Sequence, residues 1–243
     1  QPLHAFDADT LKKQQIIVKN MPAGTKFTTL DGNEHILSDE DLMICDGERP
    51  VAIAGVFGGF ESGVTESTTN LFLESAYFDP ISVRRTSKRH GINTDASFRF
   101  ERGVDPDITI DALKRCALLV EEIAGGSVSS AIVDVYPRPV SPRKVELNYA
   151  STNELIGKRI DPDTIKSILT SLEIEITGED DQGLVLLVPP YRVDVEREAD
   201  VIEEVLRIYG YNNIEMSERL NASLSFCRKP EQENYIDSVS GYL

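Results

Sequence analysis

Three prolines stand within six residues in Tyr136-Pro137-Arg138-Pro139-Val140-Ser141-Pro142-Arg143, and this stretch constrains the chain more than any other feature. Proline fixes φ and lacks an amide hydrogen, so neither a helix interior nor a central strand can run through it. The stretch predicts a linker between two separately packed units, 1–140 and 144–216, and 243 residues are enough for two cores. Charge changes at the same place. Residues 1–143 carry 15 basic and 21 acidic side chains, and residues 144–215 carry 7 and 16. Residues 217–243 read as the start of a following region.

With 40% hydrophobic and 27% charged residues the balance is globular, and no apolar run approaches the roughly 18 residues that cross a bilayer. Cys45, Cys116 and Cys227 lie far apart without CxxC spacing, which excludes a disulfide framework and a cysteine zinc site. A reducing, cytoplasmic setting fits this usage. A net charge of -16 opposes wrapping of nucleic acid by the whole surface, so any such site is local. The opening Gln1-Pro2-Leu3-His4 has neither an initiator Met nor a leader pattern, and the sequence reads as a fragment of something longer.

Within the first unit, strand-like runs at 15–18, 41–45, 51–55 and 71–74 are separated by Gly, Asn, Asp and Pro. Asp105 and Pro106 suit a helix start. Ile108, Ala112, Cys116, Leu119, Val120 and Ile123 then share one face as far as Gly125-Gly126. The fold class predicted is mixed α/β. The second unit reads helix, helix, strand, strand, helix, a small winged-helix-like α+β module. Ser151 and Glu154 have capping-box spacing, Asp161-Pro162 opens a second helix, and runs at 173–177 and 184–188 flank a polar turn.

Four stretches could carry chemistry. From Arg197 to Tyr209 an amphipathic helix sets Asp200, Glu203 and Glu204 on one face, with Asp194 just upstream. Such crowding suits Mg²⁺, but spacing alone favours a solvated acidic face near a helix N-terminus. Arg84, Arg85, Lys88, Arg89, Arg99 and Arg102 stand against only Asp95 and Glu101. A phosphate-bearing ligand or an internal ion-pair network would each explain that patch. Gly55-Val56-Phe57-Gly58-Gly59 could bring backbone amides close to a ligand but matches no nucleotide fingerprint, and Ser62 is not in a nucleophile elbow. Glu74 ends an apolar strand, where a carboxylate must find a donor or shift its pKa. His4, His35 and His90 are too scattered to argue a triad.

Taken together, several segments resemble the β subunit of bacterial phenylalanyl-tRNA synthetases. They are Gln1-Pro2-Leu3-His4-Ala5-Phe6-Asp7, Ala54 to Gly59 with Ser62-Gly63-Val64, Leu73-Glu74-Ser75-Ala76-Tyr77-Phe78, and the run from His90 to Pro106. The second unit adds Leu155-Ile156-Gly157, Pro190-Tyr191-Arg192-Val193-Asp194 and the run from Asp200 to Ile214. The resemblance implies that 1–140 is most of a B3/B4 editing domain and 144–216 a B5 domain. It implies a catalytic α subunit as partner in an (αβ)₂ enzyme, tRNA(Phe) as substrate, and ATP used by the whole enzyme without being bound by this fragment. The fragment would lack the aminoacylation site.

By the same resemblance the first unit would hydrolyse Tyr-tRNA(Phe). Glu74 would accept the tyrosine hydroxyl beside the Gly58 backbone, Thr94 and Ala96 would shape the pocket, and His4 would lie near the ester or the tRNA terminus. No side-chain nucleophile is implied. Asp194, Asp200, Glu203 and Glu204 would contribute to a magnesium site shared with the α subunit. The residues also leave open a non-catalytic nucleic-acid-binding or subunit-interface module. The net charge of the second unit, 7 basic against 16 acidic, argues against phosphate contact there.

Overall fold

The computed structural model describes residues 1–215 and 231–243. Part of the expected 217–243 region, with Cys227, therefore falls outside the described residues. The helix Glu231–Ser240 lies within them. Among the described residues no helix is long and apolar enough to cross a membrane.

Eight short strands open the chain: β1 (Leu3–Asp7), β2 (Ile17–Asn20), β3 (Lys26–Thr28), β4 (Glu34–Ile36), β5 (Leu42–Cys45), β6 (Pro50–Ile53), β7 (Phe57–Gly58) and β8 (Leu71–Ser75). Three helices follow, α1 (Pro80–His90), α2 (Asp95–Phe100) and α3 (Thr109–Ala124). Strands β2-β5-β6-β7 form one antiparallel sheet, β1 pairs with β8, and β3 with β4. The apolar runs of β5 and β6 are buried, and with Phe6, Phe27, Leu37, Val56, Phe78, Val83 and Phe100 they build one core. The predicted mixed α/β class is what the chain forms. The strand expected at 15–18 lies two residues later. Asp41 precedes β5 and is fully buried.

Local chemistry fixes the helices. Asp79 accepts from Ser82 N at 2.7 Å, Pro80 takes the first turn, and Gly91 at φ 66° ends α1. Thr94 and Ser97 cap α2 reciprocally. Only residues 91–94 of the polar stretch 90–97 therefore form a loop. Helix α3 starts at Thr109 and not at Pro106, because the Asp105 carboxylate accepts from the Asp107 amide at 2.9 Å and holds a turn there. No side chain of α3 is fully buried, so its apolar face is only partly covered.

The second unit gains a strand that the sequence reading lacks. It runs β9 (Arg143–Asn148), α4 (Tyr149–Ile156), α5 (Pro162–Ser171), β10 (Glu175–Glu179), β11 (Gly183–Val188) and α6 (Glu198–Tyr209), with sheet order β10-β11-β9. Val145 and Leu147 alternate inward along β9 between charged neighbours. Arg143 is already paired with Val188, so this unit starts one residue before 144. The expected Ser151 capping box does not form. Asn148 caps instead, accepting from Ala150 N at 2.8 Å and Ser151 N at 3.1 Å, which places Ser151 inside the helix. The first strand of the hairpin starts at Glu175 rather than 173, and a bulge lies between Ile176 and Gly178.

Leu147, Ile165, Leu169, Leu186, Val201 and Val205 form a core of their own, and no residue of the first core belongs to it. Residues 125–142 contain neither helix nor strand and are almost wholly exposed. Limited proteolysis is expected to cut first within 125–142 and release two resistant pieces. Early cleavage inside either core, with this segment intact, would contradict two independent packing units.

Candidate active site

Register brings the first two candidates together. In the antiparallel β1–β8 pair His4 stands directly opposite Glu74, on the same face of the ribbon. Both line a cavity of about 290 Å³, together with Gly58, Thr94 and Ala96. All five residues singled out in the first unit thus border one space. The remaining wall is largely apolar, with Leu30, Ile44, Ile53, Val56, Phe57, Phe78 and Phe100. Of these, Leu30, Ile44 and Ile53 lie outside the segments that carry the family resemblance and reach the cavity through tertiary packing.

Three ionisable residues border the cavity, and while Asp95 at the start of α2 is exposed, His4 and Glu74 are isolated within it. Glu74 is partly exposed as a residue, but its Oε2 is sealed from solvent and has no hydrogen-bond partner among the described residues. Burial pushes its pKa from 4.5 up to about 7. His4 Nε2 is likewise sealed and unpartnered, and burial lowers its pKa, so the imidazole is neutral.

The other buried carboxylates of this unit are treated differently. Asp41 accepts from Ser38 N at 2.8 Å, Thr86 Oγ1 at 3.0 Å and Arg89, and its Oδ2 lies 2.6 Å from His90 Nε2. Burial pushes the Asp41 pKa up, but the Ser38 amide, His90 and Thr86 outweigh it and hold the group low. Asp46 accepts from the amides of Glu48 and Arg49 at 2.7 Å each and of Lys12 at 3.1 Å.

Thr94 and Gly58 act through shape. The Thr94 hydroxyl is occupied, donating to Val56 O at 2.7 Å and accepting from Ser97 N at 3.0 Å. It locks α2 against the β6–β7 connection and presents Ala96 to the cavity. A Cβ on Gly58 would fall 2.6 Å from His4 Cε1 and 2.9 Å from Leu30 Cδ1, so any side chain there would displace the imidazole. Ser62 is not a nucleophile candidate, because its buried hydroxyl donates to Val51 O at 2.9 Å.

The acidic helix face forms no comparable site. Asp200 caps α6, accepting from Glu196 N at 3.0 Å and Arg197 N at 2.8 Å and pairing with the Arg197 guanidinium, which holds its pKa low. Glu204 pairs with Arg192 at 3.2 Å and with Arg207 at 2.5 Å. Asp194 and Glu203 are exposed. Among the described residues no group of three or more His, Cys, Asp and Glu is placed to hold a metal ion. In this chain the four carboxylates therefore fit capping, ion-pair and solvated roles, and they do not fit a metal cage. An open groove of about 370 Å³ beside Ser151, Glu154, Leu155 and Ile202 contains no sealed, unpartnered polar atom.

Because folding raises the Glu74 pKa, the folded chain binds an extra proton between pH 4.5 and about 7. The cost of burying this group is absent below about pH 4.5, grows as pH rises, and is complete above about pH 7, at on the order of 3 kcal/mol. Glu74→Gln is expected to raise Tm by roughly 10 °C at pH 8 and to lose that advantage near pH 4.5. A stability difference that does not change with pH would show that Glu74 is not desolvated as its surroundings require.

Comparison with known proteins places the sequence in a family. A family model described as the B3/4 domain matches residues 1–125, and one described as the tRNA synthetase B5 domain matches residues 145–211. A phenylalanine–tRNA ligase beta subunit of Bacteroides fragilis (strain YCH46) is 59% identical over 239 residues, covering 98% of this chain and 29% of the relative. Counterparts from Porphyromonas gingivalis and Geobacter metallireducens are 53% and 48% identical, over 92% and 88% of this chain and 27% of each relative. An N-terminal fragment of the phenylalanyl-tRNA synthetase beta subunit from Pyrococcus horikoshii aligns with TM-score 0.45 at 17% identity, over 86% of this chain and 60% of that one. The chain thus spans less than a third of the curated relatives it matches, and with both family models in sequence along it, it belongs to the family of phenylalanine–tRNA ligase β subunits, of which it carries the B3/4 and B5 domains.

Proposed function

We propose that the first unit, residues 1–140, is the editing domain of an aminoacyl-tRNA synthetase and hydrolyses Tyr-tRNA(Phe). The observation that carries this reading is the sealed, unpartnered Oε2 of Glu74 in a largely apolar cavity. A synthetic pocket built for an apolar phenylalanine ring discriminates weakly against a ring that merely adds a hydroxyl, so a second site is needed. The reverse selection is easy. A ring bearing a hydroxyl can pair with Glu74, whereas phenylalanine leaves the carboxyl unpaired in a desolvated site and is rejected.

Phe78 and Phe100 give the ring an apolar enclosure, and the missing side chain at Gly58 leaves room beside His4. The neutral His4 imidazole faces the same space and offers Nε2 to the ester end or the terminal ribose. Hydrolysis requires a water held against the ester carbonyl and donors for the developing oxyanion. No serine or cysteine of the cavity wall supplies a nucleophile, so the reading assigns attack to water.

The rest of the reading concerns the whole enzyme. The chain would act with an α subunit in an (αβ)₂ assembly, in the cytoplasm, on tRNA(Phe), with ATP consumed at a site outside this fragment. The second unit, residues 144–216, would be structural. Asp194, Asp200, Glu203 and Glu204 would meet Mg²⁺ only with ligands from the α subunit, since Asp200 and Glu204 are already engaged by arginines.

Glu74→Ala in the full enzyme is expected to slow deacylation of Tyr-tRNA(Phe) roughly 10- to 150-fold, the equivalent of a charge-assisted hydrogen bond of about 1.5–3 kcal/mol. Phenylalanine charging should be nearly unchanged. A folded variant that deacylates at the wild-type rate would remove Glu74 from tyrosine recognition. For the metal, calorimetric titration of this chain alone with Mg²⁺ should show weak binding or none. Tight stoichiometric binding that disappears in Asp200→Ala would mean that the chain holds a complete site by itself.

A further inference from the structure

The cations of residues 84–102 divide once the chain is folded. Arg89 is held by Glu40 and Asp41, and Arg102 pairs with Glu101 at 2.7 Å while lying 3.6 Å from the centre of the Phe98 ring. Arg84, Arg85 and Lys88 on α1 and Arg99 on α2 are exposed, and none has an ion pair or side-chain hydrogen bond among the described residues. On α1 these three occupy the side opposite the buried Val83, Thr86 and Ser87.

Such a face has a cost unless something anionic meets it, since like charges three and four residues apart repel. The chain has 41 acidic side chains against 25 basic ones, so internal partners are plentiful and these four still lack them. The helices that carry these cations also build the cavity wall, through their inner sides. Helix α1 packs against α2, and Val83 on its inner side lies 3.0 Å from where a Gly55 Cβ would stand. Arg99 follows Ala96 by about one helical turn, and Ala96, Phe100 and Gly55 all border the cavity.

We infer that Arg84, Arg85, Lys88 and Arg99 form the contact surface for the phosphate backbone of the single-stranded RNA end whose aminoacyl group enters the cavity. The inference rests on the editing reading, which it deepens by naming the surface that carries the RNA. A ligand with an aromatic hydroxyl at its tip and a polyanionic chain behind it matches an apolar pocket beside unpaired cations. In a chain of net charge -16 this local patch is what keeps the RNA from being repelled.

The test uses the assembled full-length enzyme with Arg84→Gln, Arg85→Gln, Lys88→Gln and Arg99→Gln combined. It also uses a charge-keeping set (the three arginines to Lys, Lys88→Arg) and Lys144→Gln as a control in the second unit. Deacylation of Tyr-tRNA(Phe) and equilibrium binding of uncharged tRNA(Phe) are measured across a salt series. The glutamine set is expected to raise KM roughly tenfold with kcat within about twofold. The plot of log K against log salt should become shallower by about 0.7 for each phosphate that the protein no longer neutralises. The charge-keeping set and the control should retain the wild-type slope. An unchanged slope and KM in the glutamine set would overturn the inference, and so would failure of that set to assemble, which would mark the face as a protein interface. If the wild-type enzyme does not deacylate Tyr-tRNA(Phe), the editing reading fails on its own, and a shallower binding slope would still support the cationic face as an RNA contact.

Discussion

A carboxylate oxygen sealed from solvent without a donor is unfavourable, and the cavity of the first unit holds such an oxygen on Glu74. The same chain shows that it can satisfy buried carboxylates where they serve only structure. Asp41 receives donors from Ser38, Thr86, Arg89 and His90, and Asp46 receives three backbone amides. The sealed oxygen of Glu74 receives none among the described residues. Buried polar groups in folded proteins are almost always paired, and in the proposed function the partner of this one arrives with a ligand. The antiparallel register that sets Glu74 against His4 places two such exceptions side by side.

Keeping that arrangement in place is the work of hydrogen bonds and a tight turn around the cavity. The Asp41 network joins the segment before β5 to the C-terminal half of α1. Gly55, at φ 69°, turns the chain after β6 where a Cβ would meet Phe78 and Val83. Thr94 ties the start of α2 to Val56 through its hydroxyl. Each fixes a different wall of the cavity, so its shape depends on groups far apart in sequence.

The second unit illustrates the opposite use of charge. Its carboxylates on α6 are mostly engaged by neighbours close in sequence. Asp200 is held by Arg197, and Glu204 by Arg192 and Arg207, while Glu198 accepts from the more distant Asn148 amide to tie α6 to β9. Glu204 has a side chain only 14% exposed, and removing either arginine would leave it under-neutralised. Within this chain the acidic crowding on the helix face is met by capping and ion pairing. The cations at residues 84, 85, 88 and 99 have no such local resolution among the described residues.

The prolines after Tyr136, the helix start at Asp161-Pro162, and the apolar runs of β5 and β6 were legible because their signals are local. A fixed φ, a carboxylate beside the first turn, or a continuous buried run acts within one element. Strand β9 was not legible, because its two inward residues are flanked by charge and acquire a core only by pairing with β11. The Asn148 cap and the delayed start of α3 were decided by competing local hydrogen bonds that residue type alone leaves degenerate. The individual residues His4, Gly58, Glu74, Thr94 and Ala96 could be named from sequence runs. That they border one cavity, with Leu30 and Ile53 completing it, was decided by tertiary structure. Sequence determined which groups were chemically unusual. Only the fold determined which of them were left without a partner, because pairing is a property of distance and burial and neither is written in the order of residues.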